Sequence, residues 1–244
     1  MGGADRTDND LLQRERHFQS FFMSQTPITQ AQWRVVAEWR EREGDRWGQA
    51  LNPAPSQFRK GLGMSDEAFT EPLPVEQVSW YDAMEFCERL SQRTGRLYTL
   101  PSEMQWEYAC RAGTSTLFAF GDDLSCSQAN CLGPATPKND STDRPGLQTT
   151  KVTAYPANGW GLHDMHGNVW EWCLDQWHPS QGEFYQSGIL WLAAGNRHAE
   201  QDRVLRGGAW TQPPEACQSA SRFKARPITR TSDIGFRVVC IHHG

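Results

Sequence analysis

Three stretches of the chain place apolar residues at helical spacing, each directly behind a residue suited to an N-cap. Thr29 opens TQAQWRVVAEW, with Gln32 three residues on to complete a capping box, and Trp33, Val36 and Ala37 form the apolar stripe. Ser79 opens SWYDAMEFCERLSQRTG, where Ala83, Phe86, Cys87 and Leu90 share a face and Gly95 stands at the C-cap position. Ser102 opens SEMQWEYACRAG, with Gln105 at the capping-box position and Gly113 as the closing residue. Pro101 holds Leu100 extended, so this third helix is expected to begin at Ser102.

After Gly113 the helical signal is lost. Residues 114–160, rich in Thr, Ser, Asp, Gly and Pro, predict long loops with short strands. Residues 174–202 suggest an exposed insertion carrying Trp177, Tyr185 and Trp191. The best strand patterns are late, RVLRGGAW (203–210) and IGFRVVCI (234–241). There is no internal repeat and no low-complexity tract. The pattern predicts an N-terminal tail over 1–19 and one domain over 20–244.

Composition adds aromatic weight and removes some partners. The hydrophobic fraction is 38%, but 11 Trp and 11 Phe supply large apolar area per residue. With 21 Gly and 14 Pro the fold is expected to be loop-rich. A net charge of -5 gives no basic surplus, so neither nucleic acid nor an anionic membrane is the expected partner. No run approaches the ~18 apolar residues of a membrane span. MGGADRTDNDLLQRER has no apolar core of a signal peptide, and Arg6 stands where myristoylation needs Ser or Thr. Seven cysteines without framework spacing suggest reduced thiols in a cytoplasmic protein. Cys126 and Cys131 are close enough in sequence to pair or share a metal, but no second Cys/His pair has zinc-finger spacing.

The segment GWGLHDMHGNVWEWCLD, residues 159–175, is the most distinctive in the chain. Glycines in an aromatic stretch imply tight turns with accessible backbone, and Asp164 and Glu171 with free carbonyls suit a hard cation such as calcium. Turn-capping roles for the same two carboxylates are the plainer alternative.

This segment follows TPITQAQW and PVEQVSWYDAMEFCERLSQRTGRLYTLPSEMQWEYACRAG and precedes RVLRGGAW and GFRVV. In that order the motifs resemble the formylglycine-generating enzyme, or sulfatase-modifying factor, family over roughly residues 20–241. The resemblance implies an α+β fold of the C-type lectin-like kind, loop-rich with little regular secondary structure. It also implies a calcium site from the side chains of Asp164 and Glu171 with the carbonyls of Gly167 and Val169. A second site would use Asn130 and the Cys131 carbonyl, but its downstream Asp falls near Arg144, with Asp143 as a weak substitute.

The resemblance does not carry the enzyme's chemistry intact. The family's oxidase binds Cu(I) with two thiols five residues apart, just after a Gly-Gly turn. Here the second position is Cys217 but the first is Gln212, and an amide cannot replace a thiolate for Cu(I), so copper is not expected. A buried, merely apolar Cys217 is the plainer reading. His163 and His166 have a metal-pair spacing, but the family does not use these positions as ligands, and packing or surface roles are expected. A related branch builds a three-histidine iron site with an added N-terminal domain, for which residues 1–25 are too short.

Between RVLRGGAW and IGFRVV lies TQPPEACQSASRFKARPITRTSD, residues 211–233, with neither helical nor strand periodicity. The plain reading is a surface loop. The sharper one is a resemblance to variable proteins of diversity-generating retroelements, whose adenine-directed mutagenesis alters this segment of the same fold. Thr211, Pro213, Ala216, Ser221, Phe223, Ala225, Ile228, Thr231, Ser232 and Asp233 stand at candidate template positions, and each type is reachable from an AAY codon by changing adenines alone. Gln212, Glu215, Gln218 and Lys224 fail that test.

Those ten residues, with Trp210 at the border, are the candidate contacts for a protein or small-molecule ligand. The expected function is therefore non-catalytic binding through 211–233. An accessory domain with a fixed partner and an atypical oxidase are the alternatives.

Overall fold

The three helices form where the caps demanded them. In the computed structural model, which describes residues 20–58, 72–133, 147–179 and 200–241, α1 runs Gln30–Ala37, α2 Trp80–Thr94 and α3 Glu103–Arg111. Thr29, Ser79 and Ser102 each close a reciprocal capping box, with Gln32, Asp82 and Gln105 as partners. Each box satisfies two backbone donors that a helix start otherwise leaves open. Gly95 adopts the left-handed cap of α2 as expected, φ 70°. On α3 the left-handed cap is Ala112, φ 46°, one residue before the expected Gly113.

Among the described residues, seven short strands make two sheets. β1 (Phe21–Met23) and β2 (Leu97–Thr99) flank β7 (Val239–Ile241) in an antiparallel three-stranded sheet that brings residue 21 to residue 241. The second sheet has the order β5-β4-β3-β6, from β3 (Trp170–Gln176), β4 (Arg203–Arg206), β5 (Arg222–Ala225) and β6 (Ile234–Gly235). β6 is parallel to β3, and the remaining pairings are antiparallel.

Three sequence expectations change here. Residues 170–176 form the central strand β3, so the expected insertion from 174 begins inside a strand; Tyr185 and Trp191 lie outside the described residues. The expected single strand 234–241 divides into β6 and β7, which serve different sheets. The supposedly aperiodic 211–233 contains a 3₁₀ turn, Pro214–Cys217, and the edge strand β5.

Aromatic residues hold these layers together. Trp33 stacks on Phe86 with centroids 5.6 Å apart, and Phe236 meets both rings edge-on. Trp33, Trp80 and Trp172 are fully buried, and each indole N–H reaches a carbonyl, of Asn52, Cys173 and Val78 respectively. A buried indole left without such an acceptor would cost free energy, so these rings fix loop backbone as well as filling volume. Among the described residues, no helix is long and apolar enough to cross a membrane.

Candidate functional site: the segment between β4 and β6

Gly207 and Gly208 end β4 in a turn that needs left-handed backbone, φ 96° and 75°. A side chain at Gly208 would also collide with Cys217, whose Sγ would lie 2.3 Å from an added Cβ. Glycine is therefore required there for space as well as for conformation. The chain then makes its 3₁₀ turn and returns along the sheet edge as β5. It finally passes to the opposite edge, where β6 begins.

This path is pinned by side chains outside its variable positions. Arg206, fully buried, donates to the carbonyls of Ser219 and Ser221 and pairs with Glu107 of α3. Arg222 donates to Glu103 at 2.8 Å. Arg230 makes two bonds to Asp82, at 2.7 and 2.9 Å, joining the segment to the capping box of α2. The amides of Trp80 and Gln77 donate to the carbonyls of Pro227 and Thr231.

Against that fixed backbone the eleven candidate contact residues divide by placement. None is fully buried, whereas Cys217, Ser219 and Pro227 of the same segment are. Pro213, Phe223 and Ile228 stand out from the surface, the last two 52% and 54% exposed. Trp210, Thr211, Ser232 and Asp233 are gathered by two bonds, from the Trp210 indole to the Ser232 carbonyl and from the Thr211 hydroxyl to Asp233. Trp170 links this group to Phe223, because its amide donates to the Asp233 carbonyl and its ring stacks under Phe223. Ser221 donates to the Glu215 carbonyl. Ala216 and Ala225 pack on the core, and the Thr231 hydroxyl is enclosed with no hydrogen-bond partner among the described residues.

The thiol arrangement departs from the sequence expectation. The Gln212 side chain donates to Thr211, while its carbonyl accepts from the Leu132 amide at 2.7 Å. Cys217 lies in a buried cluster with Phe118 and Cys131. Cys131 thus has Cys217 rather than Cys126 as its thiol neighbour. Because the two lie 86 positions apart, this pair leaves no local spacing signal to find.

Of the two histidines, His166 is a packing residue. Its Nδ1 donates to the Cys217 carbonyl at 2.8 Å, which leaves Nε2 to accept from the Ala119 amide at 3.0 Å. Burial pushes its pKa down to about 4. His163 contacts the Tyr155 carbonyl at 2.9 Å.

The candidate calcium residues occupy the turn before β3. Glu171 is fully buried and accepts from the Trp106 indole at 2.6 Å and from Arg237 at 2.7 and 2.8 Å. Asp164 is buried with φ 58°, accepts from Asn168 at 3.3 Å, and has its pKa pushed up by burial to about 7. A buried carboxylate with one long hydrogen bond is undercompensated, and a hard cation would supply the missing charge. Were calcium bound here, Asp164 would be its chief charged ligand, since Glu171 is already paired with Arg237 and the Gly167 carbonyl accepts from the Val169 amide at 3.0 Å; among the described residues no group of three acidic, His or Cys side chains is placed to hold a metal. Of the second site, Asn130 is buried and donates to the Gln148 carbonyl, while Asp143 lies outside the described residues.

With this geometry in place, comparison with known proteins is decisive for the family. The family model described as the sulfatase-modifying factor enzyme 1-like domain matches residues 1–241. The chain belongs to that family. Its relatives include the formylglycine-generating enzyme of Mus musculus, 34% identical over 180 residues that make up 69% of this chain and 44% of the relative. Another is the serine/threonine-protein kinase pkn1 of Chlamydia caviae, 32% identical over 241 residues, covering 92% of this chain and 34% of the kinase. The chain therefore spans less than half the length of these curated relatives. Among solved structures, Treponema denticola variable protein 1 superposes with a TM-score of 0.67 at 22% identity, covering 91% of this chain and 84% of that one. The fold is the C-type lectin-like one that sulfatase-modifying factor domains and this variable protein share.

Proposed function

We propose that this sulfatase-modifying factor domain is a binding protein, taking a protein or small-molecule ligand through the outward side chains of residues 211–233. The observation that carries the reading is the division within that segment. Its backbone is held by the buried Arg206, by the Arg222–Glu103 pair and by amides of neighbouring elements, while every candidate variable position keeps some exposure. A surface fixed before binding loses little conformational entropy on complex formation, and side chains can change without disturbing the scaffold. The likeness in fold to a protein named a variable protein supports diversification of this segment by a retroelement. Loss of the oxidase's first copper thiol to Gln212 supports a non-catalytic role. The reading includes a structural calcium ion at Asp164.

The test is the neighbouring DNA. A near-identical repeat of the codons for 211–233, differing at adenines and accompanied by a reverse transcriptase, is the expected finding. Its absence would move the reading to an accessory domain with a fixed partner, which the match to about a third of a protein kinase favours. Incubation with Cu(I) and a Cys-x-Pro-x-Arg peptide addresses catalysis directly, and formation of aldehyde at appreciable turnover would overturn the non-catalytic assignment.

A further inference from the structure

Cys131 and Cys217 come from distant parts of the chain into one buried apolar cluster with Phe118, and Leu124 packs against it. Their neighbourhood is already cross-tied, since the Leu132 amide donates to the Gln212 carbonyl at 2.7 Å. Cys217 is backed by Gly208 so closely that no Cβ fits between them. A bond between the two sulfurs would therefore tie together two stretches of chain already joined at Leu132 and Gln212.

We propose that Cys131 and Cys217 are a peroxide-oxidisable dithiol, whose disulfide staples the 3₁₀ turn of the binding segment to the loop that carries Cys131. The regulatory meaning rests on the binding role proposed above; the bond itself does not. The two thiols share one enclosed cluster, so either can attack while the other resolves.

The thiolate of one of the two cysteines attacks one oxygen of hydrogen peroxide, giving a sulfenic acid and releasing hydroxide. The other thiol then attacks that sulfur, expelling the second hydroxide and yielding its own proton. The balance is two thiols and one peroxide to one disulfide and two waters. Peroxide suits this pair because it is uncharged and water-sized, whereas both sulfurs are enclosed.

Protein purified under reductant should be treated with hydrogen peroxide, alkylated, digested with trypsin without reduction, and read by mass spectrometry. The expected product joins the peptides 112–138 and 207–222, and dithiothreitol should reverse it. Peptide 112–138 holds both Cys126 and Cys131, so Cys126→Ser should retain the link and Cys131→Ser abolish it. The oxidised wild type should melt about 5–10 °C higher than the reduced protein. Unlinked, alkylatable Cys217 at every peroxide dose, or a link lost in C126S, overturns the proposal. Should C131S fail to fold, the wild-type and C126S maps decide alone. Because the readout is a mass and a melting point, a failed binding reading leaves the result intact.

Discussion

Phe223 lies over Trp170 with ring centroids 5.3 Å apart and planes 22° from parallel. Trp170 is buried and Phe223 half-exposed, so one face of Phe223 rests on the core while the other meets solvent. An aromatic placed this way is anchored before any ligand arrives, as aromatic contact residues commonly are. Phe223→Ala should cost only about 1 kcal/mol of stability, the worth of one aromatic pair. Trp170→Ala should cost roughly 3–5 kcal/mol, because it opens a cavity. Urea unfolding of both variants measures this, and a Phe223 loss as large as that of Trp170 would make Phe223 a core residue instead.

Glu171 and Arg237 are both fully enclosed, and their pairing ties β3 to the link between β6 and β7. Removing one partner leaves a buried charge uncompensated. Glu171→Gln should therefore cost roughly 3–5 kcal/mol in urea unfolding. Adding Arg237→Met should restore part of that loss, since the stranded guanidinium is then gone. A Glu171→Gln protein as stable as the wild type would show that the pair is not what holds these strands.

The helix starts were legible because a capping box is a local bond between residues three apart, written entirely in Thr29–Gln32 and Ser102–Gln105. β3 was not. Trp170 through Leu174 are all buried, so the strand has none of the alternation that marks a half-exposed one. The division of 234–241 was hidden for a different reason. Ile234–Gly235 and Val239–Ile241 read as one apolar run, and only the positions of β3, β1 and β2 decide that the run serves two sheets. At the candidate site, sequence marked 211–233 as a unit but could not show that Ala216 and Ala225 face the core while Phe223 and Ile228 face out. Nor could it place Cys131 beside Cys217, a contact made by topology alone.

Calcium at Asp164 makes a prediction about heat. An ion bound only by the folded chain must stabilise it. Adding calcium to chelator-treated protein should raise the melting temperature by several degrees, and Asp164→Asn should remove that response. Identical melts with calcium and with chelator would eliminate the ion. The burial that lifts Asp164 to about 7 also gives the metal-free protein a pH signature. The folded form then favours the protonated carboxyl, so this residue's contribution to stability declines as pH rises from 3.8 to 7. Bound calcium should suppress that decline.

His166 makes the opposite prediction. Burial lowers its folded-state pKa from 6.5 to about 4, and both ring nitrogens are engaged, with the Cys217 carbonyl and the Ala119 amide. As pH falls through 6.5 the unfolded chain takes up a proton that the folded chain refuses until about 4. The contribution of neutral His166 is thus complete above pH 6.5 and is lost progressively between 6.5 and 4. Its full size is on the order of 3 kcal/mol. His166→Gln, which can keep one donor and one acceptor, should flatten this part of the curve. Asp164 and Asp175, both lifted by burial to about 7, act in the opposite sense in the same pH range. They are present in both proteins, so they cancel in the difference between wild type and variant. Parallel stability curves from pH 7 to pH 4 would show that His166 is not held neutral by the fold.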